Sequence, residues 1–288
     1  MGRRHPDWLK VPLAGGKTHN QLKKQLRKAR LHTICEEAKC PNLAECYGNG
    51  TATFLILGNI CTRNCQYCHV THAKPRPIDT DEPNQVAESV SKLGLNYVVI
   101  TSVTRDDLSD GGADLFNQTI KAIKTMNPGI KVEVLIPDFN GDTRALQQVL
   151  SAEPTVINHN IEVVKTFFPT LRPQGDYQRS LQILSTSKKI APAIPTKSGL
   201  MIGFGETKKQ IEEVMDDLQS VNVDFLTIGQ YLQPSSSHVP VKKYYTPEEF
   251  NSLKTMAMEK GFTHVESGPL VRSSYHAEQA IQYSKEMN

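Results

Sequence analysis

The stretch from Cys61 to Cys68 constrains this chain more than any other, because it places three thiols within eight residues. An apolar run from Phe54 to Leu57 stands shortly before it. A loop this tight can point three sulfurs at one centre but offers no fourth soft ligand of its own. A [4Fe–4S] cluster held by three thiolates keeps one iron open to an external ligand. Zinc is the competing interpretation, since His69 could complete a tetrahedral site.

The remaining cysteines form a first triplet, Cys35, Cys40 and Cys46, ahead of the second triplet, Cys61, Cys65 and Cys68. The gaps in the first triplet suit neither a zinc knuckle nor a disulfide pair, because three is odd. Two triplets predict two iron–sulfur clusters, with a six-thiol zinc cluster or a simple ferredoxin as alternatives. Cysteines confined to one short stretch favour reduced thiols in the cytoplasm over a secreted disulfide scaffold. A mature organelle protein would look the same.

The composition, 38% apolar and 22% charged, fits a globular protein. The sequence has no apolar run of about 18 residues, so we expect no membrane span. Its N-terminus has no apolar signal core, which argues against secretion. Nine of the 33 basic side chains fall within residues 1–30, against the single acid Asp7. This basic arm is either a solvated helix face or a docking surface for an acidic macromolecule. It lacks the interleaved aromatic residues of a nucleic-acid-binding segment.

From residue 51 onward, apolar strand candidates alternate with helices. The predicted strands are 51–57, 97–101, 131–135, 155–158, 198–202 and 225–228. The predicted helices are 85–93, 113–126, 143–151, 178–189, 207–219 and 247–260, preceded by an amphipathic helix over 20–31. This alternation predicts an α/β fold, a partial (β/α)6 TIM-type barrel with extensions at both ends. Polar loops follow five of the strands, so we expect a cleft at the strands' carboxyl ends.

Further motifs stand beside the two triplets: Thr101–Leu108, Asn158–Asn160, Pro195–Met201, Gly229–Pro234 and Arg272–His276. The second triplet, with Tyr67 directly before its last cysteine, resembles the signature of radical S-adenosylmethionine (SAM) enzymes. The first triplet and the Arg-Ser-Ser-Tyr tail are similar to those of lipoyl synthases, over nearly the whole chain. On this resemblance, residues 1–50 form an extension with the basic arm and first triplet, 51–262 the radical SAM barrel, and 263–288 a tail that closes the first cluster.

The resemblance implies a radical SAM sulfurtransferase of lipoate biosynthesis. Such an enzyme inserts two sulfur atoms at C6 and C8 of an octanoyl group on a lysine of a lipoyl carrier domain. Those C–H bonds are too strong for acid–base catalysis, so a 5′-deoxyadenosyl radical is needed. The implied cofactors are two [4Fe–4S] clusters and SAM. The implied partners are the octanoylated carrier and an electron donor such as a ferredoxin or flavodoxin, with no nucleic acid and no membrane.

The resemblance also implies roles for individual residues. Cys61, Cys65 and Cys68 hold the radical-generating cluster, and Cys35, Cys40 and Cys46 hold an auxiliary cluster that supplies sulfur. A serine hydroxyl completes the auxiliary cluster, with Ser273 as first choice for this catalytic ligand and Ser274 as its rival. The residues expected to contact SAM are Tyr67, Thr101, Ser102, Val103, Asn160, Glu162 and Arg172. His159 is either a rim histidine or a catalytic one.

Two other classes of protein remain open at this point. A methylthiotransferase also combines two clusters, but it carries its auxiliary triplet in a separate domain and adds an RNA-binding module. A non-catalytic iron–sulfur or zinc protein would need no large body downstream of its cysteines.

Overall fold

The computed structural model describes residues 6–11, 16–48, 52–279 and 281. Its strands are β1 (His32–Thr33), β2 (Thr53–Ile56), β3 (Ile60–Cys61), β4 (Thr71–His72), β5 (Tyr97–Ser102), β6 (Lys131–Leu135), β7 (Val156–Asn158), β8 (Thr196–Ile202), β9 (Phe225–Gln230) and β10 (His264–Gly268). Its helices are α1 (Lys17–Lys28), α2 (Ile34–Glu37), α3 (Leu43–Gly48), α4 (Glu82–Leu93), α5 (Ala113–Met126), α6 (Thr143–Leu150), α7 (Phe168–Leu171), α8 (Tyr177–Ile190), α9 (Lys208–Ser220) and α10 (Pro247–Glu259). None of these helices is long and apolar enough to cross a membrane.

Eight strands form one sheet in the order β1-β2-β5-β6-β7-β8-β9-β10. Strands β2 to β10 in that order pair in parallel, and β1 adds an antiparallel edge. A helix follows each of the six predicted strands, as right-handed β–α units require. The α/β class with six strand–helix units is therefore confirmed, and the open sheet agrees with a partial barrel.

The outer face of the sheet packs against helices through apolar side chains. Val132 and Val134 of β6 lie in one buried cluster with Val90 of α4 and Phe116 of α5. Because side chains alternate along a strand, Glu133 points to the opposite face. The sheet therefore keeps its main apolar core on the outside and leaves polar residues within the barrel.

The inner face carries a buried ion pair. Lys197 of β8 donates to Glu133 of β6 at 2.9 Å, and Asn158 of the intervening β7 donates to the same carboxylate oxygen at 3.2 Å. The Tyr97 hydroxyl donates to the other oxygen at 2.7 Å. Charges removed from water need an ion-pair partner and hydrogen bonds such as these, because an unpaired buried charge costs several kcal/mol. These bonds join side chains of three neighbouring strands on the inner face.

The structure adds four strands that the sequence does not predict, among them β3 and β4, which pair with each other in a separate two-stranded sheet. Strand β1 precedes the barrel, and β10 lies in the stretch that the sequence assigns to the tail. The N-terminal helix ends at Lys28, three residues earlier than predicted, because Arg30 has a φ of 55° and the N–H of Leu31 turns back to Leu26 at 3.0 Å. This is a Schellman ending. The predicted strand start at residue 51 and the end of the tail lie outside the described residues.

Candidate active site

The second triplet lies on the 61–68 loop, which follows β2 at the carboxyl end of the sheet. Cys61 ends β3 and lies opposite His72 of β4. The N–H of Cys68 donates to the carbonyl of Cys65 at 3.0 Å, which closes a turn between these two cysteines. Burial, with smaller contributions from the nearby Cys65 and Cys61 thiols, raises the pKa of the Cys68 thiol to about 12. Three thiols on one short loop offer the soft ligands that an iron–sulfur centre needs.

Arg63 holds this loop in place from within. Its guanidinium, in a residue only 5% exposed, donates to both carboxylate oxygens of Asp106 at 2.7 and 2.9 Å and to both of Asp138 at 2.7 and 2.9 Å. The side-chain oxygen of Asn140 accepts at 2.8 Å. Since Asp106 follows β5 and Asp138 follows β6, the fork joins the loop to two neighbouring strand ends. The sequence reasoning missed this residue; two acids placed just after predicted strands were the available signal.

The first triplet is brought together by a tight helix ending. The N–H of Cys40 donates back to the carbonyl of Cys35 at 3.0 Å, and that of Lys39 to Glu36 at 3.1 Å. Lys39 has a φ of 49°, the left-handed residue of a Schellman motif. Burial raises the pKa of the Cys35 thiol to about 12, and the Cys40 and Cys46 thiols add to the effect. All six cysteines are thiols without a disulfide.

The tail after β10 packs on the first triplet. Asn42, between Cys40 and Cys46, donates to the carbonyl of Leu270 at 2.7 Å. The Tyr275 hydroxyl donates to Glu45 at 3.1 Å. These two bonds join residues more than 200 positions apart and hold the tail beside the segment that carries the first triplet.

The two serines of that motif differ in their surroundings. Thr53 at the start of β2 donates to the Ser274 hydroxyl at 2.9 Å, and the Thr53 side chain also hydrogen-bonds to Cys35. The Ser273 hydroxyl makes no hydrogen bond with any residue that the structure describes. Ser274 is therefore engaged by the strand, whereas the oxygen of Ser273 is available.

Four of the residues expected to contact SAM surround Cys65. Arg172 donates to the carbonyl of Asn160 at 3.1 Å, and the Asn160 amide donates to Glu162 at 3.1 Å. Burial raises the pKa of the Cys65 thiol. The positive charge of Arg172 and a hydrogen bond from Tyr67 act in the opposite direction and lower it. Burial also raises the pKa of Glu162, again opposed by Arg172. Tyr67, Asn160, Glu162 and Arg172 thus form one charged, largely enclosed group beside the second triplet.

Several buried polar atoms nearby have no partner among the described residues. They are the hydroxyl of Ser102, Nε2 of His159 and the amide oxygen of Asn160. Thr101 instead donates to the carbonyl of Leu135 at 3.0 Å, and Val103 is buried. Buried polar atoms are normally satisfied, so this group fits a polar ligand such as SAM.

His159 is not a rim residue, because it is 1% exposed. Its Nδ1 must carry the hydrogen, since it lies 2.9 Å from the carbonyl of Ile136, which can only accept. Burial, together with the charge of Arg172, lowers the pKa of His159 to about 4. The ring is therefore neutral at pH 7 and turns an unprotonated Nε2 toward the interior.

The fold of this chain is shared with solved structures of low sequence identity. A maturase of the [FeFe]-hydrogenase, HydG, matches with a TM-score of 0.59 at 16% identity, over 93% of this chain and 61% of that one. Methylornithine synthase matches with a TM-score of 0.51 at 12% identity, over 88% and 83%. The model of the radical SAM superfamily matches residues 55–218. Fold and site together define a radical SAM enzyme.

The extension and the full-length relatives narrow the assignment. The model of the N-terminal domain of lipoyl synthase matches residues 2–40. The lipoyl synthase of Caldicellulosiruptor saccharolyticus is 52% identical over 98% of this chain and 99% of its own. That of Coxiella burnetii is 54% identical over 97% and 89%. The chain belongs to the lipoyl synthase family. Its cofactors are accordingly SAM and two [4Fe–4S] clusters, which decides against zinc.

The 61–68 loop is also fixed at its entry, by Glu82 at the start of α4. Leu57 and Gly58 both have left-handed φ values, 67° and 80°, and the Glu82 carboxylate accepts the N–H of Leu57 at 2.8 Å. Burial raises the pKa of Glu82 to about 7, more than its hydrogen bonds to the turn lower it. The turn that leads into the loop thus rests on a carboxyl group that titrates near neutrality.

This raised pKa predicts how stability depends on pH. A carboxyl group whose pKa is higher in the folded protein stabilises it below the unfolded value, and that contribution is lost as the pH rises through the folded value. Between pH 5 and pH 8 we therefore expect Glu82 alone to contribute a fall of about 2.5 kcal/mol in the free energy of unfolding, while His159, whose pKa is lowered, acts in the opposite direction. Glu82→Gln should remove most of this fall in anaerobic urea unfolding of the loaded protein. Glu88→Gln, an exposed change on the same helix, should leave the fall in place; equal slopes in both variants would contradict the assignment.

Proposed function

We propose that this chain inserts sulfur at C6 and C8 of an octanoyl group attached to a lysine of a lipoyl carrier domain. The observation that carries the proposal is the pair of reduced thiol triplets, with the tail seated on the first of them. The 61–68 loop would suffice for radical formation alone. The first triplet, with the tail as its closing segment, fits a reaction that also needs a donor of sulfur.

When bound, SAM and the cluster of the second triplet supply a 5′-deoxyadenosyl radical, and the cluster of the first triplet supplies sulfur. In this proposal Cys61, Cys65 and Cys68 hold the radical-generating cluster, and Cys35, Cys40 and Cys46 hold the auxiliary one. The chain's other residues bind, orient and shield these groups. Arg63 acts only through the loop and is a positioning residue.

The group around Cys65 is proposed to orient SAM. The Arg172 guanidinium, always charged, suits a carboxylate. Asn160 and Glu162 offer an amide oxygen and a carboxylate to hydroxyl groups of a ribose, and Ser102 offers a hydroxyl to the methionyl end. Thr101 and Val103 shape the wall beside Ser102. Tyr67 covers Cys65, which keeps water from the second triplet.

Ser273 is proposed as the fourth protein ligand of the auxiliary cluster. A serine oxygen is a weaker ligand for iron than a thiolate, so the cluster can open at this position when sulfur is withdrawn. The support is that Ser274 is already bonded to Thr53, whereas Ser273 has no such partner among the described residues. Both serines follow Arg272, whose positive charge lowers the pKa of Cys40 against the larger effect of burial.

We infer that a small acidic carrier docks on the basic arm. Helix α1 buries Leu22 and Leu26 and packs on α3, the helix that carries Cys46. Lys24, Arg27 and Lys28 are exposed on its other side. Lys23 differs from them, because it pairs with Glu36 at 3.1 Å. Opposite charges steer association and make it sensitive to salt.

Two further parts of the proposal concern the surroundings of the enzyme. The electron needed for each radical comes from a ferredoxin or a flavodoxin. The chain works in the cytoplasm, where six thiols stay reduced.

The activity is tested with anaerobically prepared protein and an octanoylated carrier domain. We expect about eight irons and eight sulfides per chain, as two cubic clusters require, and lipoyl groups on the carrier. Modification of tRNA or of a ribosomal protein in place of the carrier would support a methylthiotransferase. Zinc, or a single cluster with no turnover, would support a non-catalytic metal protein.

Separate substitutions distinguish the two serines. Ser273→Ala should reduce the iron content toward about four per chain, whereas Ser274→Ala should keep about eight. Ser273→Cys should restore the iron yet lower lipoyl formation by about tenfold or more, because the thiolate holds its iron more firmly. Iron analysis and carrier mass spectrometry measure both effects; iron lost from Ser274→Ala alone would transfer the role to Ser274.

Charge reversal tests the basic arm. Lys24, Arg27 and Lys28 changed together to Glu should weaken carrier binding and make the remaining binding less sensitive to salt. The matched control reverses three exposed lysines on other helices, Lys121, Lys189 and Lys208. Isothermal titration at two salt concentrations measures both proteins. Identical binding by wild type and arm variant would return the arm to a solvated helix face.

A further inference from the structure

Glu37 lies between two cysteines of the first triplet but contacts residues that flank the second. It is the last residue of α2, two positions after Cys35 and three before Cys40. Its carboxylate accepts a hydrogen bond from the Asn59 amide at 3.2 Å, and its backbone carbonyl accepts one from Nδ1 of His69 at 3.0 Å. Asn59 stands two residues before the 61–68 loop and His69 one residue after it. One residue thus joins both ends of that loop to the first triplet.

The chemistry of these bonds leaves little freedom in how they form. A carboxylate and a carbonyl only accept, so the Asn59 amide and the His69 ring must donate. Nδ1 of His32 donates to the same carboxylate oxygen at 3.0 Å, which fixes the side chain from a third direction. The carboxylate is only 23% exposed, so water competes weakly for it. Hydrogen bonds to a charged group are stronger than neutral ones.

The far side of His69 is fixed as well. Its ring stacks on His238 with centroids 5.7 Å apart. Nε2 of His238 in turn donates to the carbonyl of Cys68 at 3.1 Å. The contact between His69 and Glu37 therefore links the first triplet, through the stacked ring of His238, to Cys68 of the second triplet.

Another path between the triplets runs along β2. Thr53 at its beginning hydrogen-bonds to Cys35, and Leu57 just beyond its end turns toward the 61–68 loop. That path reaches the first triplet only through Cys35. The contacts of Glu37 add a direct link between the turn from Cys35 to Cys40 and the residues that flank the 61–68 loop.

We propose that Glu37 is a positioning residue that sets the separation and orientation of the two thiol triplets. This rests on the proposed roles of the triplets. A carbon from which hydrogen has been removed must meet sulfur held by the first triplet before it reacts otherwise. Without the Glu37 contacts, SAM is still cleaved at the second triplet, but less of that cleavage leads to sulfur insertion.

The test compares 5′-deoxyadenosine formed with sulfur inserted in the carrier, using the cluster-loaded enzyme. Glu37→Ala and Asn59→Ala should each raise this ratio by about tenfold, because a displacement of about 1 Å can cost about 100-fold in rate. The double variant should raise it no further than Glu37→Ala, since both changes break one contact. Glu37→Gln, which keeps an acceptor oxygen, should return the ratio toward the wild-type value. A loss of folding would lower both products together and leave the ratio unchanged.

A readout independent of turnover is the magnetic interaction between the two reduced clusters. Electron paramagnetic resonance should show it weakened or broadened in Asn59→Ala, a variant outside both triplets that should keep all its iron. Glu36→Ala, the same change one residue away, should leave both ratio and spectrum as in the wild type. An unchanged ratio in Asn59→Ala with full iron content, or an equal rise in Glu36→Ala, would overturn the proposal. Absence of lipoyl formation by the wild type would instead refute the proposed function.

Discussion

A buried guanidinium is the interaction on which the geometry of the second triplet depends. Arg63 makes five hydrogen-bond contacts with Asp106, Asp138 and Asn140, and all three nitrogens of its guanidinium take part. Burial alone would raise the pKa of Asp138, but the hydrogen bonds and charge of Arg63 outweigh it and hold that pKa below its usual range. Because lysine offers a single point charge, only arginine can bind both acids in this planar arrangement. The loop is therefore positioned by the same strand ends that supply the neighbouring site.

Polar groups within the barrel change where the fold obtains its stability. Glu133, Asn158 and Lys197 satisfy one another on the inner face, and such pairs add little net stability over apolar residues of the same shape. The favourable term comes from the outer face, where helices cover the apolar side of each strand. This division leaves the inner face available for the reaction.

Most of the correct predictions from the sequence rest on patterns among residues that are close together in the chain. Apolar strands and amphipathic helices alternate with a clear period, and six of each appear close to their predicted positions. The cysteine spacing indicated both triplets, because their ligands lie within short loops. The Schellman turn at Lys39 has no glycine to announce it. Strand β10 has one fully buried apolar residue, Val265, which is too few for a period to show.

Long-range contacts were out of reach for a different reason. Arg63 meets Asp138, and Glu37 meets Asn59, only because the sheet places distant loops side by side. No spacing within the sequence encodes such a pair. The seven residues expected to contact SAM were named through resemblance, whereas the unpaired Nε2 of His159 required knowledge of which carbonyl its other nitrogen faces.

The tail passes very close to the inner face of the sheet at Gly229. A Cβ atom at that position would overlap the carbonyl oxygen of Val271, so backbone packs directly on backbone there. This passage can be completed only after β9 and β10 have paired. During synthesis the first triplet leaves the ribosome more than 200 residues before the segment that covers it. Maturation of the sulfur-donating centre is thereby tied to termination of translation, so a chain cut short near its end would carry its cysteines yet leave that centre uncapped.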